Sequence, residues 1–324
     1  MTGAMKFFLS IVIFSALLPS GFAQLTPDSP SGTRSIVVNV LDAHGNALRD
    51  LTKDNFRLHV NGKPTVVLDA RYSLAPRRIV VLLDMSGSMT GDKDTGKWRI
   101  AREAADDLLA ETPGDVPIAM LTFSGQVRDV LDFSQGRPAI AKWLKEDPGQ
   151  RPNRKYSRTT ALFDAILEAL KLLQPVQPGD AVYAITDGGD NASLASARKT
   201  KSALLHSSVR LFAFLFEEPP FEEGKASLLS MANDSGGFLF AVSGHGPVEG
   251  GFPLDTRIYV DDHPEKVWSL TQLLNLQVNG FWTLEVAAPS SNKASSMKLE
   301  VAGDEGKIRK DVWVAYCKVL PAAR

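Results

Sequence analysis

Residues 78–88 read Arg-Ile-Val-Val-Leu-Leu-Asp-Met-Ser-Gly-Ser, and this stretch gives the strongest indication of the fold class. Its unbroken apolar run predicts a central parallel strand, because helices cover such a strand on both faces. Three side chains with oxygen atoms follow the run at every second position, namely Asp84, Ser86 and Ser88. In open α/β sheets, ligands bind at the carboxyl ends of the strands. The stretch therefore predicts a buried strand and one edge of a binding site.

The chain beyond this stretch alternates between strand and helix patterns. Apolar runs predict strands at 117–123, 126–132, 180–186, 209–216 and 238–242. Amphipathic periodicity predicts helices at 97–111, 137–146, 161–174, 193–206 and 224–234. This order is typical of an α/β fold with a doubly wound, mostly parallel sheet. We assign this unit to residues 77–243.

Both flanks of the α/β unit have β character. Residues 34–75 contain short alternating runs, and the Asn61-Gly62 pair between two of them is a strong sign of a hairpin. After a linker and helix at 246–278, residues 279–320 again alternate apolar and polar positions. We expect the two segments to pair into one small antiparallel β-sandwich, with the α/β unit inserted between them.

The N-terminal residues have the pattern of an export signal. Lys6 precedes an apolar run at 7–18, which is too short to span a bilayer, and the small residues Gly21 and Ala23 follow it. This predicts a signal peptide at 1–23, with an uncleaved anchor as the alternative. A polar, proline-rich linker is predicted at 24–33. The mature protein is expected to be periplasmic or extracellular, without stable membrane insertion.

Composition and charge exclude several classes of function. The 324 residues include 36 Lys and Arg against 37 Asp and Glu, so the formal charge of −1 gives no electrostatic reason to expect nucleic acid as a partner. The single cysteine, Cys317, excludes a zinc site built on several thiolates.

Residues 91–97 approach a phosphate-binding loop, but Trp98 stands where that motif needs Ser or Thr. The sequence offers no candidate nucleophile together with a residue that could act as its general base, so we expect no enzymatic activity.

Oxygen-bearing side chains from three predicted loops suggest a metal site. One loop holds Asp84, Ser86 and Ser88, a second holds Thr160 before a helix, and a third holds Asp187 after a strand. Hard oxygen donors without His or Cys suit Mg²⁺, or Mn²⁺ or Ca²⁺ in its place. The alternative for the first loop is a helix cap, since Asp and Ser also cap helices.

The same loops carry three motifs in a fixed order. Asp-x-Ser-x-Ser occupies 84–88, Thr-Ala-Leu-Phe-Asp-Ala occupies 160–165, and Thr-Asp-Gly-Gly-Asp-Asn occupies 186–191. Together they resemble a von Willebrand factor type A domain with a metal-ion-dependent adhesion site, although Arg158 and Thr159 stand where that family usually has glycines. The residues at 42–45 and 51–56 resemble secreted bacterial members of the acidobacterial type.

This resemblance implies a binding function. In the family, neutral hydroxyls bind the ion while the aspartates act largely through water or hydrogen bonds, so the ion stays electrophilic. Its open position then accepts an Asp or Glu carboxylate from a partner protein. The alternative is a structural or assembly component of an envelope complex, in which the metal is only stabilising. The basic residues at 151–158 either steer an acidic ligand to the ion or form a solvated loop.

Overall fold

The structure, a computed structural model, describes residues 31–74, 77–90, 96–146, 157–216, 223–242, 264–289, 293–303 and 305–322. The predicted signal peptide lies outside these residues. The same holds for the predicted linker up to residue 30, for residues 151–156 of the basic loop, and for 246–263. Within the described ranges, no helix has the length and apolarity needed to cross a membrane.

Strands from both ends of the chain flank a middle part in which strands and helices alternate. The strands are β1 Ser31–Leu41, β2 Phe56–Val60, β3 Lys63–Thr65, β4 Val67–Ser73, β5 Ile79–Asp84, β6 Ile118–Phe123, β7 Val127–Leu131, β8 Ala181–Thr186, β9 Arg210–Phe216, β10 Leu239–Val242, β11 Phe281–Pro289, β12 Ser295–Val301, β13 Trp313–Tyr316 and β14 Val319–Leu320. The helices are α1 Gly87–Thr90, α2 Lys97–Glu111, α3 Gly136–Lys145, α4 Leu162–Leu172, α5 Ala197–Ser207, α6 Glu223–Ser235 and α7 Pro264–Asn279, besides a 3-10 helix at Lys53–Asn55.

A six-stranded sheet in the order β10-β9-β8-β5-β6-β7 forms the centre of the α/β unit. Its strands are parallel except for β7, which is antiparallel to β6. Every residue of β5, β6, β8 and β9 is buried. This confirms the predicted α/β fold with a mostly parallel sheet. Because β6 lies on one side of β5 and β8 on the other, the chain reverses its direction of winding at β5, which is where ligands bind in such sheets.

Alternate residues of β5 face two different layers of helices. Val81 and Leu83 pack with α2, α3 and α7 into one apolar core. Val80 and Leu82 pack with α4, α5 and α6 into the other. Both sets of alternate residues in β5 are therefore apolar, because helices cover the strand on both faces.

Two antiparallel sheets build the β-sandwich from both ends of the chain, as predicted. Their orders are β13-β1-β11-β4 and β14-β12-β2-β3. Inward-facing residues of both sheets, among them Val38, Leu58 and Leu284, form a third apolar core. Between β2 and β3, Asn61 and Gly62 have φ angles of 50° and 76°, and they form the two-residue turn that an Asn-Gly pair predicts.

Two boundaries differ from the prediction. β1 begins at Ser31 rather than near Arg34, because Ser31 already pairs with Pro289 of the long strand β11. Residues 31–33 therefore belong to the strand and not to the predicted linker. Helix α5 begins at Ala197 rather than at 193, because other contacts hold the preceding residues in a loop.

Arg210 of β9 joins the α/β unit to the β-sandwich. Its guanidinium is buried and donates hydrogen bonds to Oδ1 of Asn39 in β1, at 3.3 Å, and to the carbonyls of Gln277 and Val278 in α7, at 3.2 and 3.0 Å. It also lies 4.4 Å from the ring centroid of Phe281. Burial lowers the pKa of Arg210 to about 9. Carbonyl dipoles and an aromatic face thus hold a buried charge at the junction of the two units.

Candidate metal centre

Asp84 is the last residue of β5 and is fully buried. Its Oδ1 accepts a hydrogen bond from the backbone N–H of Ser86 at 2.8 Å. Its Oδ2 accepts one from the hydroxyl of Thr186 at 2.6 Å. Because Thr186 ends β8, the second bond joins the carboxyl ends of two adjacent strands.

The two serines of the first loop lie side by side. The hydroxyl oxygens of Ser86 and Ser88 are 3.1 Å apart. Ser86 is buried and Ser88 is exposed. The backbone N–H of Met89 donates to the Ser86 carbonyl at 3.0 Å, and the Met89 side chain is buried in the core under α1. The hydroxyl pair therefore connects the buried end of β5 to the protein surface.

Thr160 is held between two neighbouring loops. Its backbone N–H donates to Oδ1 of Asn191 at 2.8 Å, and its carbonyl accepts the N–H groups of Asn191 and Ala192, both at 3.0 Å. The N–H of the next residue, Ala161, donates to the carbonyl of Ser124 at 2.6 Å. These bonds fix Thr160, which is buried, beside the loops that follow β6 and β8.

The segment before Thr160 also contacts the first loop. The backbone N–H of Gly87 donates to the carbonyl of Ser157 at 2.9 Å. A Cβ atom on Gly125 would lie 2.5 Å from Oγ1 of Thr159 and 2.9 Å from Oγ of Ser157, so a larger residue at 125 would displace these hydroxyl groups.

Asp187 directly follows β8 and contacts a lysine. The hydroxyl oxygen of Thr186 accepts the N–H of Gly188 at 2.9 Å, and Gly188 has a φ of 83°, which favours glycine. Oδ2 of Asp187 lies 3.5 Å from Nζ of Lys97, the first residue of α2. The three predicted metal-site motifs do not include Lys97, and its contact with Asp187 joins residues that are far apart in the chain.

Two further aspartates, outside the predicted ligand set, tie the Asp187 loop to helix α4. Asp190 accepts a hydrogen bond from the backbone N–H of Phe163 at 2.8 Å. Asp164 accepts the backbone N–H groups of Leu194 and Ala195 at 2.8 and 3.0 Å. The first turn of α4 and the loop after β8 thus cap each other. Acidic residues next to a helix start are the signal that could have indicated this.

Asp84 and Asp187 interact through their charges. Burial raises the pKa of Asp84 to about 7, and the charge of Asp187 adds to the rise, while hydrogen bonds from Thr186 and Ser86 act in the opposite direction. A divalent cation would favour the ionised form of Asp84. The electrostatics of this edge of the sheet therefore favour binding of a cation.

The donor set fits a small hard cation. All five predicted residues lie at the carboxyl edge of the sheet. Among the described residues, no group of three or more His, Cys, Asp or Glu side chains is arranged to hold a metal ion. The predicted donors are hydroxyls with two carboxylates, a set that suits Mg²⁺. Ser124 adds a buried hydroxyl beside Thr160 that has no hydrogen-bond partner within the described ranges.

Residues 79–189 match the family model described as von Willebrand factor type A domain. The matched range begins with β5 and extends just past Asp187, so it contains the predicted site residues. No curated protein gives a significant match.

Three solved structures show the range of similar proteins. A von Willebrand factor type A protein from Catenulispora acidiphila has 11% identity and a TM-score of 0.45, over 93% of this chain and 76% of that one. Proximal thread matrix protein 1 from the mussel byssus, with a zinc-occupied MIDAS motif, has 16% identity and a TM-score of 0.46, over 67% and 49%. The human COPII-coat protein Sec24c has 11% identity and a TM-score of 0.45, over 78% and 46%. The chain spans about half the length of the last two proteins.

Proposed function

We propose that the protein is an exported, metal-dependent binding module that captures an Asp or Glu carboxylate of a partner protein. One observation carries the proposal: buried Asp84 accepts hydrogen bonds from the Ser86 N–H and the Thr186 hydroxyl beside the paired hydroxyls of Ser86 and Ser88. The family match over residues 79–189 supports it. Residues 77–243 would form the binding domain, and the residues at 42–45 and 51–56, outside it, resemble secreted bacterial members of the acidobacterial type.

In this proposal the ion is Mg²⁺, with Mn²⁺ or Ca²⁺ as substitutes. Ser86, Ser88 and Thr160 would hold it through neutral hydroxyls, with Asp84 and Asp187 beside them. The ion supplies an electrophilic position for a carboxylate, because few of its ligands are charged. Asp84 orients the first loop through the Ser86 N–H, and exposed Ser88 keeps the position open to another protein.

Calorimetric titration with Mn²⁺ tests the site. We expect the full chain to bind one ion and Asp84→Ala to lose it, since the substitution removes a charge and the acceptor that orients the first loop. Asp311→Ala, in an exposed part of the β-sandwich, is the matched control and should bind like the wild type. Unchanged Mn²⁺ affinity in Asp84→Ala would contradict the metal assignment.

A peptide array tests the capture of carboxylates. Peptides with a central Asp or Glu, and their Asn and Gln counterparts, are probed with the full chain in Mg²⁺ and in EDTA. We expect the acidic peptides alone to retain the protein, and only in Mg²⁺. If the ion binds but retention is the same in EDTA, the ion has a stabilising role only, as in a structural or assembly component.

A further inference from the structure

Lys97 places a positive charge at an edge of the sheet that is proposed to bind a cation. Its Nζ lies 3.5 Å from Oδ2 of Asp187, and the two side chains are 32% and 12% exposed. The contact is therefore partly shielded from solvent.

The position of Lys97 is fixed by the start of α2. Gly96 precedes the helix with a φ of 70° and its carbonyl accepts the N–H of Ile100 at 3.0 Å. Ile100 and Ala101 are buried in the core. The backbone of Lys97 is thus held by packing, and only the side chain is free to change its partner.

Helix stability does not explain a lysine at this position. The N-terminus of a helix carries a partial positive charge, so a cation in the first turn is unfavourable. The first turn of α2 contains no acidic residue to compensate it. Asp187 lies on a different element and supplies the negative charge that Lys97 faces.

The other carboxylate of the pair has neutral donors. Asp84 accepts its hydrogen bonds from the Ser86 N–H and the Thr186 hydroxyl. Of the two carboxylates, only that of Asp187 contacts the Lys97 ammonium. The Lys97 ammonium offsets negative charge of Asp187. A divalent cation bound at the site would offset the same charge.

We propose that Lys97 is an internal counter-ion of the metal site, which pairs with Asp187 when the ion is absent and leaves it when the ion binds. The inference rests on the proposed metal site. Because the ammonium repels a divalent cation at short range, it lowers the affinity for the ion. Ion binding in turn frees the Lys97 side chain, so the two events are coupled.

Mn²⁺ affinity tests the proposal in Lys97→Met, which keeps most of the apolar stem and removes the charge. The matched control is Lys201→Met, because Lys201 is 31% exposed and pairs with Asp234 at 2.5 Å in a contact between α5 and α6. By calorimetry at low ionic strength, Lys97→Met should bind Mn²⁺ about three- to tenfold more tightly than the wild type. Lys201→Met should bind like the wild type.

Chemical labelling of the wild type provides a second readout. The rate of amine acetylation at each lysine is followed by mass spectrometry in EDTA and in Mn²⁺. Acetylation of Lys97 should become several-fold faster in Mn²⁺, while that of Lys201 should not change. This comparison needs no variant and so does not depend on how a variant folds.

The outcomes separate this inference from the proposed function. Equal Mn²⁺ affinity in the wild type and Lys97→Met, or weaker binding by the variant, overturns the counter-ion role and leaves the metal site standing. An unchanged Lys97 labelling rate in a protein that binds Mn²⁺ also overturns it. If neither the wild type nor Lys97→Met binds Mn²⁺, the metal site itself is wrong, and the inference fails with it.

Discussion

Replacing Asp84 with asparagine is expected to stabilise the metal-free protein above neutral pH, although the residue lies at the centre of the site. Burial and the charge of Asp187 raise the pKa of Asp84 to about 7, against about 3.9 in an unfolded chain. Since the folded pKa lies above the unfolded one, the folded state holds the extra proton between about pH 4 and pH 7. The stability of the metal-free wild type should therefore fall as the pH rises through this window.

The size of the stability change in Asp84→Asn follows from the raised pKa of Asp84 and from the lost hydrogen bond of Thr186. The rise in the pKa of Asp84 from about 3.9 to about 7 corresponds to about 4 kcal/mol of unfavourable free energy once Asp84 is fully ionised. Asparagine retains an oxygen acceptor for the Ser86 N–H but loses the acceptor of the Thr186 hydroxyl, at about 1–2 kcal/mol. The net gain for Asp84→Asn should be about 2 kcal/mol at about pH 8. At about pH 4 the wild-type carboxyl is protonated, so only the lost contact remains and the variant should be less stable than the wild type by about 1–2 kcal/mol.

Urea unfolding in EDTA at both pH values measures this difference. Asp84→Ala is the comparison variant, because it removes the charge together with both acceptors and should gain less than asparagine. Adding Mn²⁺ should raise the urea midpoint of the wild type and leave that of Asp84→Asn unchanged. A variant less stable than the metal-free wild type at about pH 8 would refute the electrostatic reasoning.

Four further predictions follow from other parts of the chain. Arg210→Met leaves buried carbonyls without donors and should lower the free energy of unfolding by about 3 kcal/mol, measured in urea. Gly237→Ala places a methyl group against the backbone of Leu211 and should lower the melting temperature, at a cost of about 2–3 kcal/mol. Asp164→Ala removes two backbone hydrogen bonds and should cost about 1–2 kcal/mol while weakening Mn²⁺ binding in calorimetry. In a host that exports the protein, mass spectrometry of the mature chain should find Gln24 at its N-terminus.

The buried strands could be predicted because burial on both faces leaves a local mark in the sequence. In β5 this mark is the run of apolar residues at 79–83. Asp84, Thr160 and Asp187 could be placed at one edge because each stands at a junction of a predicted strand or helix with a loop. That inference needs only the alternation of elements and the common direction of parallel strands.

Contacts between residues far apart in the chain have no local sequence pattern from which they could be predicted. The start of β1 depends on the length of its partner β11, and the pair between Lys97 and Asp187 depends on where α2 begins relative to the sheet. The late start of α5 has the same origin, since Asp164 holds the N–H groups of Leu194 and Ala195 in a loop. Each of these features follows from the path of the backbone in three dimensions, which periodicity in the sequence does not specify.

The aspartates at this edge of the sheet divide into two pairs that use their charge differently. Asp164 and Asp190 accept backbone N–H groups across two loops, so their charge is compensated within the fold. Asp84 accepts two hydrogen bonds and Asp187 contacts Lys97, but the charge of Asp187 still disfavours the ionised form of Asp84. The first pair fixes the loop that carries Asp187. The loop that carries Asp187 is thus fixed by contacts within the fold. A divalent cation that relieves the effect of Asp187 on Asp84 gains affinity without having to order the loops, which is why loosening Asp164 should weaken ion binding although Asp164 is not in the predicted ligand set.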